Sequence, residues 1–203
     1  MNKYFILFLA LVGFTCMTSC SESNEDDNEF DDWQNRNEAY FEGIYSKASA
    51  AISAGDAKWK IIRVYSKVGH VTAKHTDDIV VEVLSEGEGK QCPIYSDSVR
   101  VHYQGRLMPT ETHTDGYLFD QSWTGNYNSA TMVPAKFAVS GLVDGFTTAL
   151  MQMHEGDRWR VYIPYQLGYG TQTSGSIPAY STLVFDMTLH SFVHVGTPFP
   201  PFQ

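Results

Sequence analysis

One carboxylate, Asp120, draws attention because of its neighbours. It lies in the segment GYLFDQS, directly after Phe119, and no second acid stands beside it. Carboxylate-based acid–base catalysis commonly uses two such groups held in different environments. A lone acid after an aromatic residue, in a segment that reads as strand and turn, does not fit that chemistry. We therefore expect Asp120 to have a role other than acid–base catalysis.

The other reactive side chains form no pattern typical of a metal or nucleophile site. Cys92 precedes Pro93 and has no nearby histidine partner, so we expect a buried or idle thiol. The histidines show no ligand spacing such as H-E-x-x-H, and we expect neither a metal nor a cofactor. The seven histidines are His70, His75, His102, His113, His154, His190 and His194.

The segments around Asp120 predict β-structure. SVRVHYQGRL alternates, with Val99, Val101 and Tyr103 on one face. RWRVYIPY and TLVFDMTLHSF alternate in the same way, and DDIVVEVLSEGEGK predicts a strand followed by a glycine-rich turn. One apolar face per strand predicts an antiparallel sheet that is covered on a single side.

One short helix is predicted to cover that apolar face. In GLVDGFTTALMQMHEG, the apolar residues Val143, Phe146, Leu150 and Met153 recur at helical intervals, and Gly156 supplies a stop. A curled antiparallel sheet wrapped around one short helix is an α+β fold.

A helical extension is predicted in front of this unit. Residues 33–54 place Trp33 and Phe41 at helical spacing, and Gly55 follows as a stop. This helix either packs on the domain and links it to the preceding segment, or it is a dimerisation helix. Residues 59–66, WKIIRVYS, predict a strand added at the edge of the sheet.

The first 20 residues predict export. One lysine precedes an uncharged apolar run that is too short for a comfortable transmembrane helix but fits a secretory signal. The run ends in MTSC, which resembles a bacterial lipobox, and Cys20 would then be the lipidated first residue. The alternatives are a plain signal peptide cut near Ser19 or an N-terminal membrane anchor.

An acidic run follows Cys20. Seven of the 23 acidic residues lie between Glu22 and Asp32, so the remaining 16 face 14 basic residues. Such a run cannot bury apolar surface and predicts a solvated tether. The rest of the chain carries no basic stripe, which argues against nucleic acid as a partner. The run also resembles the acidic export signal of some Gram-negative lipoproteins, so we expect an outer-membrane lipoprotein that faces the periplasm or the cell surface.

Five blocks in order resemble the FKBP-type peptidyl-prolyl cis-trans isomerase family. They are VRVHYQGRL, GYLFDQS, LVDGFTTALMQMHEGDRWRVYIP, YGTQTSGSIP and STLVFDMTL. The resemblance implies isomerisation of X–Pro bonds in proline-containing polypeptides, with folding of exported or surface proteins as the role and macrolide inhibitors as further ligands. The resulting division is 1–19 signal peptide, 20–32 acidic tether, 33–76 helix and strand extension, 77–195 isomerase domain and 196–203 C-terminal tail.

The resemblance also implies the site residues. Asp120, Tyr103 and Tyr169 take the catalytic positions, with Asp120 accepting a hydrogen bond from the Tyr103 hydroxyl. The backbone N–H of Val143 is expected to meet a ligand carbonyl, and Phe146 forms the floor where the best-known members use tryptophan. The expected substrate-binding residues are Phe119, Leu142, Val143, Phe146, Ile177 and Phe185.

The chain departs from the family pattern at three places. No arginine follows Asp120 at the usual distance, Ala135 stands where an aromatic residue is common, and Ser176 stands where an aliphatic residue is usual. These changes predict a wider, less apolar pocket on that side. They keep a second function open, namely a low-activity chaperone or peptide-binding module on the same fold.

Overall fold

A computed structural model describes residues 29–69, 72, 74–129 and 131–201. The two longer helices are α1 (Trp33–Ser53) and α2 (Asp144–Leu150). The strands are β1 (Trp59–Arg63), β2 (Asp78–Ser85), β3 (Ser98–Leu107), β4 (Leu118–Gln121), β5 (Ala135–Ala138), β6 (Arg158–Ile163) and β7 (Leu183–Val193). No helix in these ranges is long and apolar enough to cross a bilayer. The expected signal peptide, Cys20 and most of the acidic tether lie outside the described residues.

All strand pairs in the described chain are antiparallel, and they form one sheet. Its order is β1-β2-β6-β7-β3-β4, and β5 pairs with the first half of β3. The predicted edge strand is confirmed, since β1 pairs with β2 alone. In the centre, Gly105 of β3 lies opposite Phe185 of β7 and opposite Asp120 of β4. This register brings three distant parts of the sequence together.

The α+β fold is confirmed, because α2 packs against the apolar face of this sheet. Phe146 and Leu150 of α2 are buried in one cluster with Val101 of β3 and Trp159 of β6. The alternating apolar residues that predicted the strands therefore supply the core. Removal of this apolar surface from water is the main term that stabilises the fold.

The prediction that the sheet is covered on one side only was wrong. On the opposite face, Phe41 and Ala48 of α1 pack with Trp59, Val80 and Tyr162 in a second buried cluster. Alternation shows which residues share a face, but it does not show which other segment lies on that face.

The polar face of β3 is covered as well. His102, which the alternation placed on the solvent side, is fully buried. Its ring lies 6.4 Å from that of Trp123 in the long segment after β4.

Buried hydrogen bonds fix α1 on the sheet. The Asn37 amide is fully buried, donates to the Trp33 carbonyl at 2.8 Å and accepts from the Thr182 backbone N–H at 2.7 Å. The Trp33 indole N–H donates to Ser181 Oγ at 2.9 Å. Helix α1 therefore packs on the domain next to the start of β7.

Candidate active site

A glycine in β3 makes room for two aromatic rings of the site. The alternation of β3 places Gly105 on the same face as Tyr103. A Cβ atom at Gly105 would lie 2.5 Å from the Phe119 ring and 2.6 Å from the Phe185 ring. Those two rings occupy the space that a side chain would have filled, and they meet edge to face with centroids 5.6 Å apart.

These rings belong to a cavity of about 240 Å³ on the concave face of the sheet. The volume is below the ~300–1,000 Å³ of drug-sized pockets, which suits a single ring such as that of proline. The cavity is lined by Tyr103, Phe119, Asp120, Phe137, Gly141, Leu142, Val143, Phe146, Tyr169 and Phe185.

The aromatic walls hold one another in edge-on contacts. The Phe146 ring lies 4.9 Å from Phe185 at 88°, and 6.1 Å from Tyr103 at 90°. Edge-to-face pairs of this kind are favoured because the positive ring edge meets the negative ring face. Phe146, Phe185 and Tyr103 are each less than one-tenth exposed, so little of each ring is accessible to water.

Asp120 and Tyr103 form the polar group of the cavity. The predicted hydrogen bond is confirmed, since the Tyr103 hydroxyl donates to Asp120 Oδ2 at 2.7 Å. The other oxygen of Asp120 accepts from the Gln121 backbone N–H at 2.8 Å. Burial, and then the hydrogen bond to Asp120, raise the pKa of Tyr103 far above its ordinary value. The Tyr103 hydroxyl therefore keeps its proton and remains a hydrogen-bond donor to Asp120.

Among the described residues, no basic side chain takes the place of the arginine that the sequence lacks after Asp120. Across the described residues, Asp120 makes no ion pair with a lysine, arginine or histidine. Its carboxylate is stabilised by hydrogen bonds from the Tyr103 hydroxyl and the Gln121 N–H. The residue is exposed at the cavity rim, so solvent also contacts it.

Two further residues with hydrogen-bond donors line the cavity. The Tyr169 side chain is 41% exposed, and its position is set by a turn in which the N–H of Gly170 donates to the Tyr165 carbonyl at 2.8 Å. Val143 precedes α2 in an extended conformation, and its N–H has no acceptor in the described chain. Both groups can donate to the carbonyls of a bound peptide.

Phe137 lines the cavity and was missed by the sequence reasoning. It lies two residues after Ala135 in β5, so it shares a face with Ala135, and its ring centroid is 5.6 Å from that of Tyr103. An aromatic wall is thus present near the position where Ala135 suggested a gap. The alternation of AKFA was the signal that could have identified it.

Ile177 is the one expected binding residue that does not line the cavity. Its side chain is buried in the main core, and its N–H and carbonyl pair with Ser174 in a tight turn. The other eight expected residues lie together around one cavity. Within the described part of the chain, no group of three or more histidine, cysteine, aspartate or glutamate side chains could hold a metal ion.

An aromatic cavity with one carboxylate, set between a curled antiparallel sheet and a short helix, defines a class of peptide-binding domain. The chain belongs to the FKBP-type peptidyl-prolyl cis-trans isomerase family, whose model matches residues 89–190.

Each of two curated relatives matches more than half of this chain. The macrophage infectivity potentiator of Trypanosoma cruzi is 41% identical over 119 residues, which are 58% of this chain and 55% of that protein. The FKBP-type 22 kDa peptidyl-prolyl cis-trans isomerase of Escherichia coli K12 is 42% identical over 108 residues, which are 53% of this chain and 46% of that protein. The chain thus spans about half the length of these curated relatives. The crystal structure of FkpA from Escherichia coli aligns with a TM-score of 0.53 at 28% identity, over 80% of this chain and 62% of that one.

Proposed function

We propose that this protein is a peptidyl-prolyl cis-trans isomerase that assists the folding of exported or cell-surface proteins. Family membership supports the reaction class. The observation that carries the proposal is the aromatic cavity with the Tyr103–Asp120 hydrogen bond at its edge. Proline-containing polypeptides are the expected substrates, and macrolide inhibitors are expected to compete for the same cavity.

The reaction needs a change of environment more than a chemical step. An X–Pro bond rotates over a barrier of about 18–20 kcal/mol because the planar amide is stabilised by resonance. A ~10⁵-fold acceleration requires the barrier to fall by roughly 7 kcal/mol. The twisted amide is less polar than the planar one, so water favours the planar form. A dry aromatic cavity removes that preference and binds the twisted form better.

Each group then has a role that involves no proton transfer. Phe146 and Phe185 form the floor under the prolyl ring, and Phe119 forms a wall. The Val143 N–H and the Tyr169 hydroxyl hold the carbonyls on either side of the proline. Asp120 fixes the Tyr103 ring through their hydrogen bond and presents one polar group to the substrate.

The test is isomerisation of a prolyl tetrapeptide by the wild type, Asp120→Leu and Asp115→Leu. Loss of the charge and of the hydrogen bond that orients Tyr103 should lower kcat/KM severalfold in Asp120→Leu and leave folding intact. Asp115 is an exposed acid outside the cavity, so Asp115→Leu should keep wild-type activity. Wild-type turnover by a folded Asp120→Leu protein would defeat the assignment of Asp120.

A second function remains open because Asp120 has no basic partner among the described residues and because Ala135 and Ser176 depart from the family pattern. On this alternative, the same cavity binds prolyl or apolar segments without useful turnover, as a chaperone or peptide-binding module. Negligible isomerisation, together with suppression of the aggregation of an unfolded client, would favour this alternative. Fast turnover would exclude it as the main role.

We further propose that Cys20 is lipidated and anchors the protein in the outer membrane. The lipobox-like MTSC and the acidic run after it support this. Glu29 is held on the domain, since its carboxylate accepts from Thr110 Oγ1 at 2.6 Å and lies 2.8 Å from His113 Nδ1. The nine residues 20–28 can span at most about 30 Å. The domain would then work close to the membrane surface.

Incorporation of a clickable fatty acid in a Gram-negative host tests the anchor. Cys20→Ala should abolish the label and Cys16→Ala should retain it, because Cys16 would leave with the signal peptide. Label retained in Cys20→Ala would contradict the proposal. Proteinase treatment of intact cells then separates the two faces: degradation indicates the cell surface, and protection indicates the periplasm.

A further inference from the structure

A tyrosine from the N-terminal extension meets a tyrosine of the family domain beside α2. The rings of Tyr65 and Tyr95 lie 5.3 Å apart at 36°. Tyr65 is fixed by its backbone N–H, which donates to Thr148 Oγ1 at 3.2 Å. Tyr95 is 45% exposed, and its neighbour Ile94 is 53% exposed. Tyr95 lies within residues 89–190, the part of the chain that the family model matches, and Tyr65 lies before it. The pair therefore depends on the N-terminal extension.

The tyrosine pair adjoins the proposed prolyl cavity through the segment before α2. The Tyr65 hydroxyl donates to Asp144 Oδ1 at 3.4 Å, and Asp144 directly follows Val143, which lines the cavity. The turn that carries Tyr95 is joined to the same segment, because the Val139 N–H donates to the Asp97 carbonyl at 2.9 Å. Adjacent Cα atoms are about 3.8 Å apart, so the pair begins roughly one residue beyond the cavity lining.

This surface combines two aromatic rings with a carboxylate. Asp144 is exposed, and no lysine, arginine or histidine pairs with it among the residues described. Burial, Tyr95 and Asp144 raise the pKa of Tyr65 to about 12, so the Tyr65 ring stays neutral and keeps its electron-rich face. Aromatic faces beside a carboxylate attract a lysine or arginine side chain through cation–π and ion-pair contacts.

We propose that Tyr65, Tyr95 and Asp144 form a subsite that selects substrates with a lysine or arginine two residues away from the proline. This inference rests on the proposed function, and it names the substrate class. A peptide with its prolyl ring in the cavity and a carbonyl on the Val143 N–H continues past Asp144. An extended chain advances ~3.3 Å per residue, so a side chain two positions from the proline reaches the tyrosine pair.

The test compares prolyl peptides that differ at one position only. Lysine or glutamate is placed two residues before or two residues after the proline, and isomerisation is followed by exchange NMR. The substrate residue that passes Val143 lies either before or after the proline. At that position, the lysine peptide should have a kcat/KM about three- to tenfold above that of the glutamate peptide. The preference should shrink in 1 M salt, which screens exposed charges.

Two variants test whether the preference for the lysine peptide depends on Asp144 and Tyr95. Asp144→Asn and Tyr95→Ser should each bring the ratio of the lysine to the glutamate peptide to within about twofold of one. Asp115→Asn removes an exposed acid elsewhere and should keep the full ratio. Each ratio is measured on one protein sample, so a change in the folded fraction of a variant cancels.

The outcomes separate this inference from the isomerase proposal. If no peptide is turned over, the isomerase proposal fails, and the same four peptides are titrated for binding to give the ratio without catalysis. Equal rates for lysine and glutamate peptides on both sides, or equal affinities in the titration, would overturn the subsite. A lysine preference that persists unchanged in both Asp144→Asn and Tyr95→Ser would also overturn it.

Discussion

Lowering the pH from 8 to 5 should destabilise this protein through His102. The side chain is fully buried, with its ring 5.4 Å from that of Tyr127 and 5.8 Å from that of His190. Neither ring nitrogen of His102 has a hydrogen-bond partner in the described residues. Burial, and then the neighbouring His190, lower the pKa of His102 from its ordinary 6.5.

The direction of this pH effect depends on whether the folded or the unfolded state binds more protons. The folded state disfavours the charged imidazolium, so the unfolded chain binds more protons once the pH falls below about 6.5. Stability from His102 is therefore complete above that pH and is lost as the pH falls further, by up to about 1.4 kcal/mol per pH unit. Burial also lowers the pKa of His190, and the positive charge of Arg100 acts in the same direction. Together, the two histidines can lower the free energy of unfolding by at most about 2.7 kcal/mol for each pH unit.

Urea unfolding at pH 8, 6.5, 5.5 and 5, followed by tryptophan fluorescence, measures this slope. His102→Phe keeps an aromatic ring against Tyr127 and removes the ionisable group. In the wild type, the free energy of unfolding changes with pH. This slope should be smaller in the variant by up to about 1.4 kcal/mol per pH unit. Glu29, whose pKa is lowered to about 2, does not interfere, because its contribution changes only below about pH 4.5. Identical slopes in the two proteins would refute the reasoning.

Two further substitutions test the packing around the sheet. Asn37→Ala leaves the buried Thr182 N–H without its acceptor and should lower the free energy of unfolding by about 1–3 kcal/mol. Prolyl isomerisation by the folded protein should be unchanged. A change in the free energy of unfolding below 0.5 kcal/mol, roughly that of a neutral surface substitution, would show that this bond does not fix α1. Gly105→Ala places a methyl group within 2.6 Å of the Phe119 and Phe185 rings, so it should lower stability by about 1–3 kcal/mol and reduce kcat/KM at least tenfold. Unchanged activity in Gly105→Ala would mean that the floor rings do not set the rate.

The elements that follow local rules could be predicted from the sequence. The extension helix was expected over 33–54 and spans Trp33–Ser53, because helical periodicity and the stop at Gly55 are local signals. Gly55 has a φ of +86°, a left-handed conformation that glycine adopts without strain. The grouping of Asp120 with residues far along the chain, such as Phe185, came from the order of the family blocks and not from any local pattern.

The features that prediction missed depend on contacts between distant segments. The buried state of His102 could not be predicted from an alternating strand, because it depends on where the segment carrying Trp123 lies. Phe137 was missed because Ala135, which lies on the same face of β5, suggested a gap there. Ile177 occupies the expected loop, but the tight turn with Ser174 directs it into the core.

The same rings form the cavity floor and part of the main hydrophobic core, and this limits how the binding site can evolve. A larger or smaller residue at Phe146 or Phe185 would disturb the packing that keeps the domain folded, so variation there is costly. Ala135 and Gly141 lie at the margin, and a side chain at Gly141 would meet no atom within 4 Å. New substrate ranges should therefore arise by changes at these marginal positions, and a mutational library directed there should retain far more folded members than one directed at the floor.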